Sequence, residues 1–389
     1  MQNFVVSRLG ASFFPISYKF QWSPVRQSAF LFLTSFKSKQ NPLGDDNFTI
    51  SYLVTSCGLS PEAAARVSQN LKLRNKTPDK ANAVLNLLKN YGFSESQISE
   101  CVQQQPWLLL SDAEKTLLPK LKFLHSIGLP IPQFPSIIAH NRILLKRSLN
   151  NFLIPRYNVL KSVLHSEEQV VRALKRGAFS FLQGNVTHNL LPNVDVLRHS
   201  GVPHPCISYL VSFHPASAFT KHSKFVEIVK LVQEMKLDPL KTSFVSAIHV
   251  LVNVGTAKWE SRLKAYNNWG WSNEISISVF RKFPILMSFT EERIMKSMNF
   301  LVNDMGWASE HIARVPQVLA YSFHKRIIPR CTVIKILKSK GLVKNSLNLY
   351  SFLSLTEEVF LKRIVTKFLE DVPLLAGVYQ GSVDHGDVL

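Results

Sequence analysis

The sequence predicts an all-α chain of stacked helical hairpins, a superhelical α-solenoid, and three observations predict it. A short phrase of two apolar residues, a proline and usually a base stands as Leu117-Leu118-Pro119-Lys120, Leu153-Ile154-Pro155-Arg156, Leu190-Leu191-Pro192-Asn193 and Ile327-Ile328-Pro329-Arg330. Its first two steps are 36 and 37 residues, and a fixed period of that size marks a repeat array. Only 15 glycines among 389 residues fit helices better than a turn-rich β-protein. The hydrophobic fraction of 46% is ample for a core, and the apolar runs are too short for a membrane span.

Residues 1–44 hold Arg8, Lys19, Arg26, Lys37 and Lys39 and no acid; the first acid is Asp45. A basic, serine-rich, acid-free opening has the composition of an organelle transit peptide. Mitochondrion is the first reading and chloroplast the alternative, because the two kinds of address share this composition. Taking five bases from the net charge of +20 leaves +15 on residues 45–389. A surplus of that size points to a polyanionic partner, nucleic acid before an anionic membrane face.

A first helix is expected over residues 48–57. Ser60 caps the next, with Pro61 at its first position and Ala63, Val67 and Leu71 along it. Pro78 opens a third, closed by Gly92, and Ser94 caps a fourth that carries Ile98, Cys101 and Val102. From there each repeat has a short helix, a break and a longer helix. Proline breaks stand at Pro106, Pro215, Pro284 and Pro316, since proline cannot continue a helix and biases the residue before it away from helical geometry. In repeats 2 and 3, Asn141-Arg142-Ile143-Leu144 and Ala178-Phe179-Ser180-Phe181 take the place of the break. The fifth repeat, around 243–271, is the most eroded and is placed by the helix from Trp259 to Tyr266. An eighth, partial repeat covers 346–373, and the tail from Asp371 is expected to fray. The recurrent proline either starts the longer helix or kinks it; either way identical bends curve the stack in one sense and leave a concave groove.

Cys57, Cys101, Cys206 and Cys331 lie far apart, so neither a zinc site nor a disulfide framework is expected. The twelve histidines form no ligand set, and no metal, cofactor or catalytic constellation is expected.

The unit standing as Pro106-Trp107-Leu108-Leu109 followed by Leu118-Pro119-Lys120-Leu121-Lys122-Phe123-Leu124 resembles the repeat of the mitochondrial transcription termination factor (mTERF) family, its plant organellar branch in particular. Phe283-Pro284-Ile285-Leu286 and Val315-Pro316-Gln317-Val318-Leu319 repeat the likeness, which covers roughly residues 48–373. The resemblance implies a superhelix of repeats, each of two α-helices and a short 3₁₀ turn. It also implies binding of organellar nucleic acid, double-stranded DNA first, in transcription termination. The alternative is RNA binding in intron splicing or ribosome assembly. A helical protein-interaction scaffold is a third reading, against which the charge of the 45–389 segment counts.

Candidate contacts follow from the stacking. Lys120, Arg156, Asn193 and Arg330 occupy one position after the proline, so stacked helices would set them in a column suited to a phosphate backbone. Lys115, Lys146, Arg147, Lys221, Lys224, Arg293, Lys325 and Arg326 lie near the starts of the same helices. Trp107, Trp259, Trp269, Trp271 and Trp307 read as packing residues before base-stacking ones. A monomer is expected, with the transcription or ribosome machinery as partner.

Overall fold

The computed structural model of the chain describes residues 43–73, 78–141, 143–344 and 347–383. The expected address segment falls outside these residues except for Leu43 and Gly44, which open the first helix, Leu43–Thr55. All regular structure among the described residues is helical. The helices fall into two compact bodies. One holds residues 43–195 and 208–220, the other 196–207 and 221 onward.

The opening helices follow the sequence closely. Ser60 accepts from the Ala63 backbone at the start of Pro61–Ser68, and Pro78–Asn90 buries Ala81, Val84, Leu85, Leu87 and Leu88. Ser94 and Gln97 cap Glu95–Gln104 reciprocally, leaving neither end-group unpaired. Repeat 1 continues with the 3₁₀ turn Pro106–Leu110 and a second helix that ends at Ser126. Gly128 then turns the chain with φ +90, a left-handed conformation that glycine adopts without strain.

The break residues share one backbone shape. Gln105, His214, Phe283 and Val315 precede prolines and have φ between −129 and −146 with ψ between 51 and 75. Asn141 takes the same shape (φ −129, ψ 64) with no proline after it; its side-chain amide donates to the Ile137 carbonyl at 2.7 Å. Repeat 2 therefore keeps its break by a different device. Repeat 3 does not keep it. Its first helix runs through the expected break as Glu167–Gln183, 17 residues, because nothing there removes a backbone donor.

The proline of the second helix both opens and distorts it. A five-residue π-helical turn, Ala113–Leu117, Leu149–Leu153, Val186–Leu190 or Phe323–Ile327, leads into the α-helix that carries the proline in its first turn. The proline ring would clash with the carbonyl four residues back in α geometry, and the wider π turn relieves that clash. Repeat 5 consists of Thr242–Asn253 and Thr256–Asn267 joined without a break turn. Its aromatics compensate: Tyr266 stacks on Trp271 at 4.8 Å, and Trp259 meets Phe280 edge-on at 5.0 Å. Trp259 and Trp271 are fully buried, as packing residues should be.

The tail differs from expectation. Within residues 374–383 lies a docked helix, Leu375–Gln380, with Leu375 and Val378 buried and the Tyr379 hydroxyl donating to Glu357 at 2.7 Å. Its apolar positions give it a face to bury, which the lack of basic residues had obscured.

Candidate nucleic-acid interface

Among the described residues, six of the eight second helices open with a side-chain cap. Asp112, Ser148, Asn185, Thr290, Ser322 and Thr356 each accept from the backbone three residues on. Repeats 4 and 5 open at Lys221 and Gly255, with no side-chain hydrogen bond at the cap. Capping satisfies one of the four unpaired N–H groups at each opening; the others remain directed along the helix axis.

Each of the first seven second helices carries a polar side chain that fastens it to the next repeat. Lys120 Nζ donates to the Leu145 carbonyl. Arg156 donates to the carbonyls of Phe181 and Gly184, the latter at 2.8 Å. Asn193 Nδ2 reaches Ala218 at 3.0 Å and Thr220 at 2.7 Å. Lys224 reaches Val252 at 3.4 Å, and Arg262 Nε reaches Phe289 at 2.7 Å. Arg293 reaches Leu319 and Ala320 at 3.1 and 2.9 Å. Arg330 donates to the carbonyls of Phe352, Leu353 and Leu355 and pairs with Glu357 at 2.9 Å. The acceptors are carbonyls just before the next second helix, where the break turn or first helix has ended and no intrahelical donor is left.

This pattern corrects the expected contact column. Lys120, Asn193 and Arg330 are 6%, 1% and 0% exposed, so they do not face solvent, and Arg156 is half-buried with both bonds directed into the protein. Burial holds the pKa values of Lys120, Arg156 and Lys224 below their ordinary range, with Arg147's charge adding to the effect at Arg156. Lys224 and Arg293 are thereby joined to the neighbouring repeat as well. The sequence reading missed Arg262 altogether, because repeat 5 lacks the proline phrase. Arg262 stands seven residues after its opening Gly255, against eight from Asp112 to Lys120, and counting from the opening would have found it.

The same links fix the openings within each body. The acceptor carbonyls lie within four residues of the next opening, so each opening in this rim is held against the second helix before it. The remaining candidates sit on that rim. Lys115 is exposed beside the opening of repeat 1, Lys146 and Arg147 just before that of repeat 2, and Lys221 forms that of repeat 4. Lys325 is exposed and Arg326 half-buried in the first turn of repeat 7. Lys258, not foreseen, is exposed in the first turn of repeat 5. Aromatic rings steady two of these guanidiniums: Phe152 lies 4.7 Å from Arg147, and Tyr321 lies 4.8 Å from Arg326.

Electrostatically the rim runs against the usual rule. Helix N-termini favour acids, by about 0.3–1 kcal/mol each. The second-helix openings of repeats 2, 3, 4, 5 and 7 carry no acid in the first turn. Bases stand at four of them, where the helix dipole opposes positive charge. Glu114, Glu291, Glu292, Glu357 and Glu358 keep repeats 1, 6 and 8 nearer the usual pattern. Unpaired N–H groups and cations together make a surface that favours phosphate.

A family profile described as mTERF matches residues 85–256 and 242–361. Over 295 residues the chain is 23% identical to the Arabidopsis thaliana protein named transcription termination factor MTERF15, mitochondrial. That alignment covers 74% of this chain and 57% of the relative, so the chain spans little more than half the relative's length.

Proposed function

The chain belongs to the mTERF family, whose profile matches well over half of it, and on that premise we propose that it is an organellar nucleic-acid-binding regulator of gene expression. Its ligand in this reading is double-stranded DNA, held by phosphate contacts along the second-helix openings, and its role is transcription termination. The observation that carries the reading is the set of bases at Lys146, Arg147, Lys221, Lys258, Lys325 and Arg326, placed where helix dipoles oppose them. Folding alone would select acids there; a bound polyanion reverses the preference. Lys115 extends the same rim into repeat 1.

The net charge of +15 over residues 45–389 supports a polyanionic partner. The acid-free, basic opening segment supports an organelle address, and the relative's name favours the mitochondrion, with the chloroplast as alternative address. The protein acts as a monomer that binds without catalysing a reaction, in contact with the transcription machinery. RNA binding in splicing or ribosome assembly is a second reading. It draws support from Phe213, which lies 4.9 Å from the Arg172 guanidinium and 4.8 Å from that of Arg176, an aromatic flanked by cations of the kind that suits an unpaired base.

Affinity of the full chain for duplex DNA, single-stranded RNA and structured RNA, measured across a salt series, tests both readings. Duplex DNA is expected to bind tightest, with affinity falling steeply as salt rises. RNA binding tenfold tighter at matched salt overturns the DNA assignment, and salt-independent binding to all three overturns the phosphate rim.

A further inference from the structure

A cavity of about 410 Å³ lies in the second body, between the end of repeat 6, both helices of repeat 7 and the start of repeat 8. Met305, Trp307, Val315 and Leu349 give it an apolar wall, and His311, Arg314 and Lys338 stand around it with no carboxylate among the lining residues. The volume falls within the roughly 300–1,000 Å³ of small-molecule sites, and a few convergent polar groups on an apolar lining are their usual composition. The cavity is remote from the rim. Lys338 lies 13 residues beyond Lys325 on the same helical rod, which puts the two about 20 Å apart along the axis at 1.5 Å per residue.

We propose that this cavity binds a mononucleotide group, an aromatic base joined to a phosphate. Among the described residues, His311, Arg314 and Lys338 form no ion pair, so three cationic or protonatable groups converge without a counter-ion. A guanidinium fork and an ammonium together match a phosphate better than a single carboxylate. Lys338 Nζ sits over the Trp307 ring, 4.3 Å from its centre, so a phosphate that draws the ammonium aside uncovers an indole face against which a base can lie. Burial lowers the Lys338 pKa, and a phosphate beside it favours the ammonium form. Asn348 completes the set. Its Oδ1 accepts from the Tyr350 backbone at 2.8 Å, which fixes the amide orientation and leaves Nδ2 to donate to a base edge or a phosphate oxygen.

The full chain is titrated with nucleoside 5′-monophosphates, the parent nucleosides and inorganic phosphate, with tryptophan fluorescence as readout. Saturable quenching by the monophosphates is expected, at least tenfold tighter than by either fragment. Trp307→Phe removes the signal, and Arg314→Gln with Lys338→Met weakens binding at least tenfold; Met keeps the Lys338 stem, so the wall stays packed. The rim variant Lys325→Ala/Arg326→Ala leaves the titration unchanged, which separates this site from the proposed DNA surface. In that rim variant, a 5′-phosphorylated oligonucleotide that competes better than its 5′-hydroxyl form assigns the site to a strand end; competition by the free monophosphates alone assigns it to free nucleotide. Binding no tighter than inorganic phosphate, binding unchanged in Arg314→Gln/Lys338→Met, or quenching by an acidic peptide alone overturns the proposal.

Discussion

Lys325 and Arg330 stand five residues apart at the start of one helix and carry the same charge. Arg330 is fully buried and gives its guanidinium to three carbonyls and Glu357. Lys325 is exposed on the rim, and its backbone N–H, not its ammonium, is what the Ser322 cap engages. The contrast recurs along the chain: one row of polar side chains joins repeat to repeat, and a second row of bases faces outward at the helix openings. In a repeat protein each repeat is held mainly by its neighbours, so the inner row governs stability. The outer row governs affinity in the proposed reading. The two rows should separate cleanly under mutation.

The largest effect is expected at Arg330. Arg330→Ala leaves three carbonyls without a donor and opens a cavity, at a cost of about 3 kcal/mol in urea unfolding. It should also release the Leu375–Gln380 helix to proteolysis, since Glu357 joins Arg330 to Tyr379. A stability loss below about 1 kcal/mol would show that the inner row does not hold the repeats. Asn193→Leu is next, at about 1–2 kcal/mol, because two carbonyls lose their donors while shape is nearly kept. Asn193→Asp should cost more than Leu, since a carboxylate would face those same carbonyls. Lys120→Met is expected to cost about 1 kcal/mol or less: one hydrogen bond is lost, but a cation is no longer held away from water. Thermal unfolding of the four variants side by side checks the ranking.

The fold was legible because its signals are local. The proline phrase, the caps at Ser60 and Ser94 and the spacing of apolar positions all act within a few residues. The long first helix of repeat 3 was hidden because a missing proline removes a stop without announcing a continuation. The site was half legible for a different reason. Lys120 and Lys115 are both lysines near one helix start, and only the carbonyl of Leu145, 25 residues downstream, decides which is turned inward. That partner belongs to the next repeat, so no window on the helix itself contains it. The periodicity that identified the row was real; it recorded how repeats join, not where a ligand lies.

A smaller effect sharpens the account at the end of the chain. The Tyr379 hydroxyl, and next the guanidinium of Arg330, hold the Glu357 carboxylate below its ordinary pKa. A carboxylate lowered in the folded state contributes stability that is present above its unfolded pKa near 4.5 and lost as pH falls through the lowered folded value. Protection of residues 375–380 from hydrogen exchange, taken relative to the intrinsic rate at each pH, should therefore fall in acid below about pH 4.5, and Tyr379→Phe should reduce that dependence. Protection that stays constant down to pH 3 would remove Glu357 from the docking of this helix.

The division between the rows is tested most directly by the salt dependence of duplex DNA binding in a folded variant lacking the outer row. Lys146, Arg147, Lys221, Lys258, Lys325 and Arg326 are replaced together by glutamine, with all seven inner residues left in place. Each phosphate contact contributes about 0.9 to the slope of log affinity against log salt, so the slope should flatten by up to about 5 while thermal unfolding shifts little. An unchanged slope in a protein of unchanged stability would contradict the account and move the polyanion to another face.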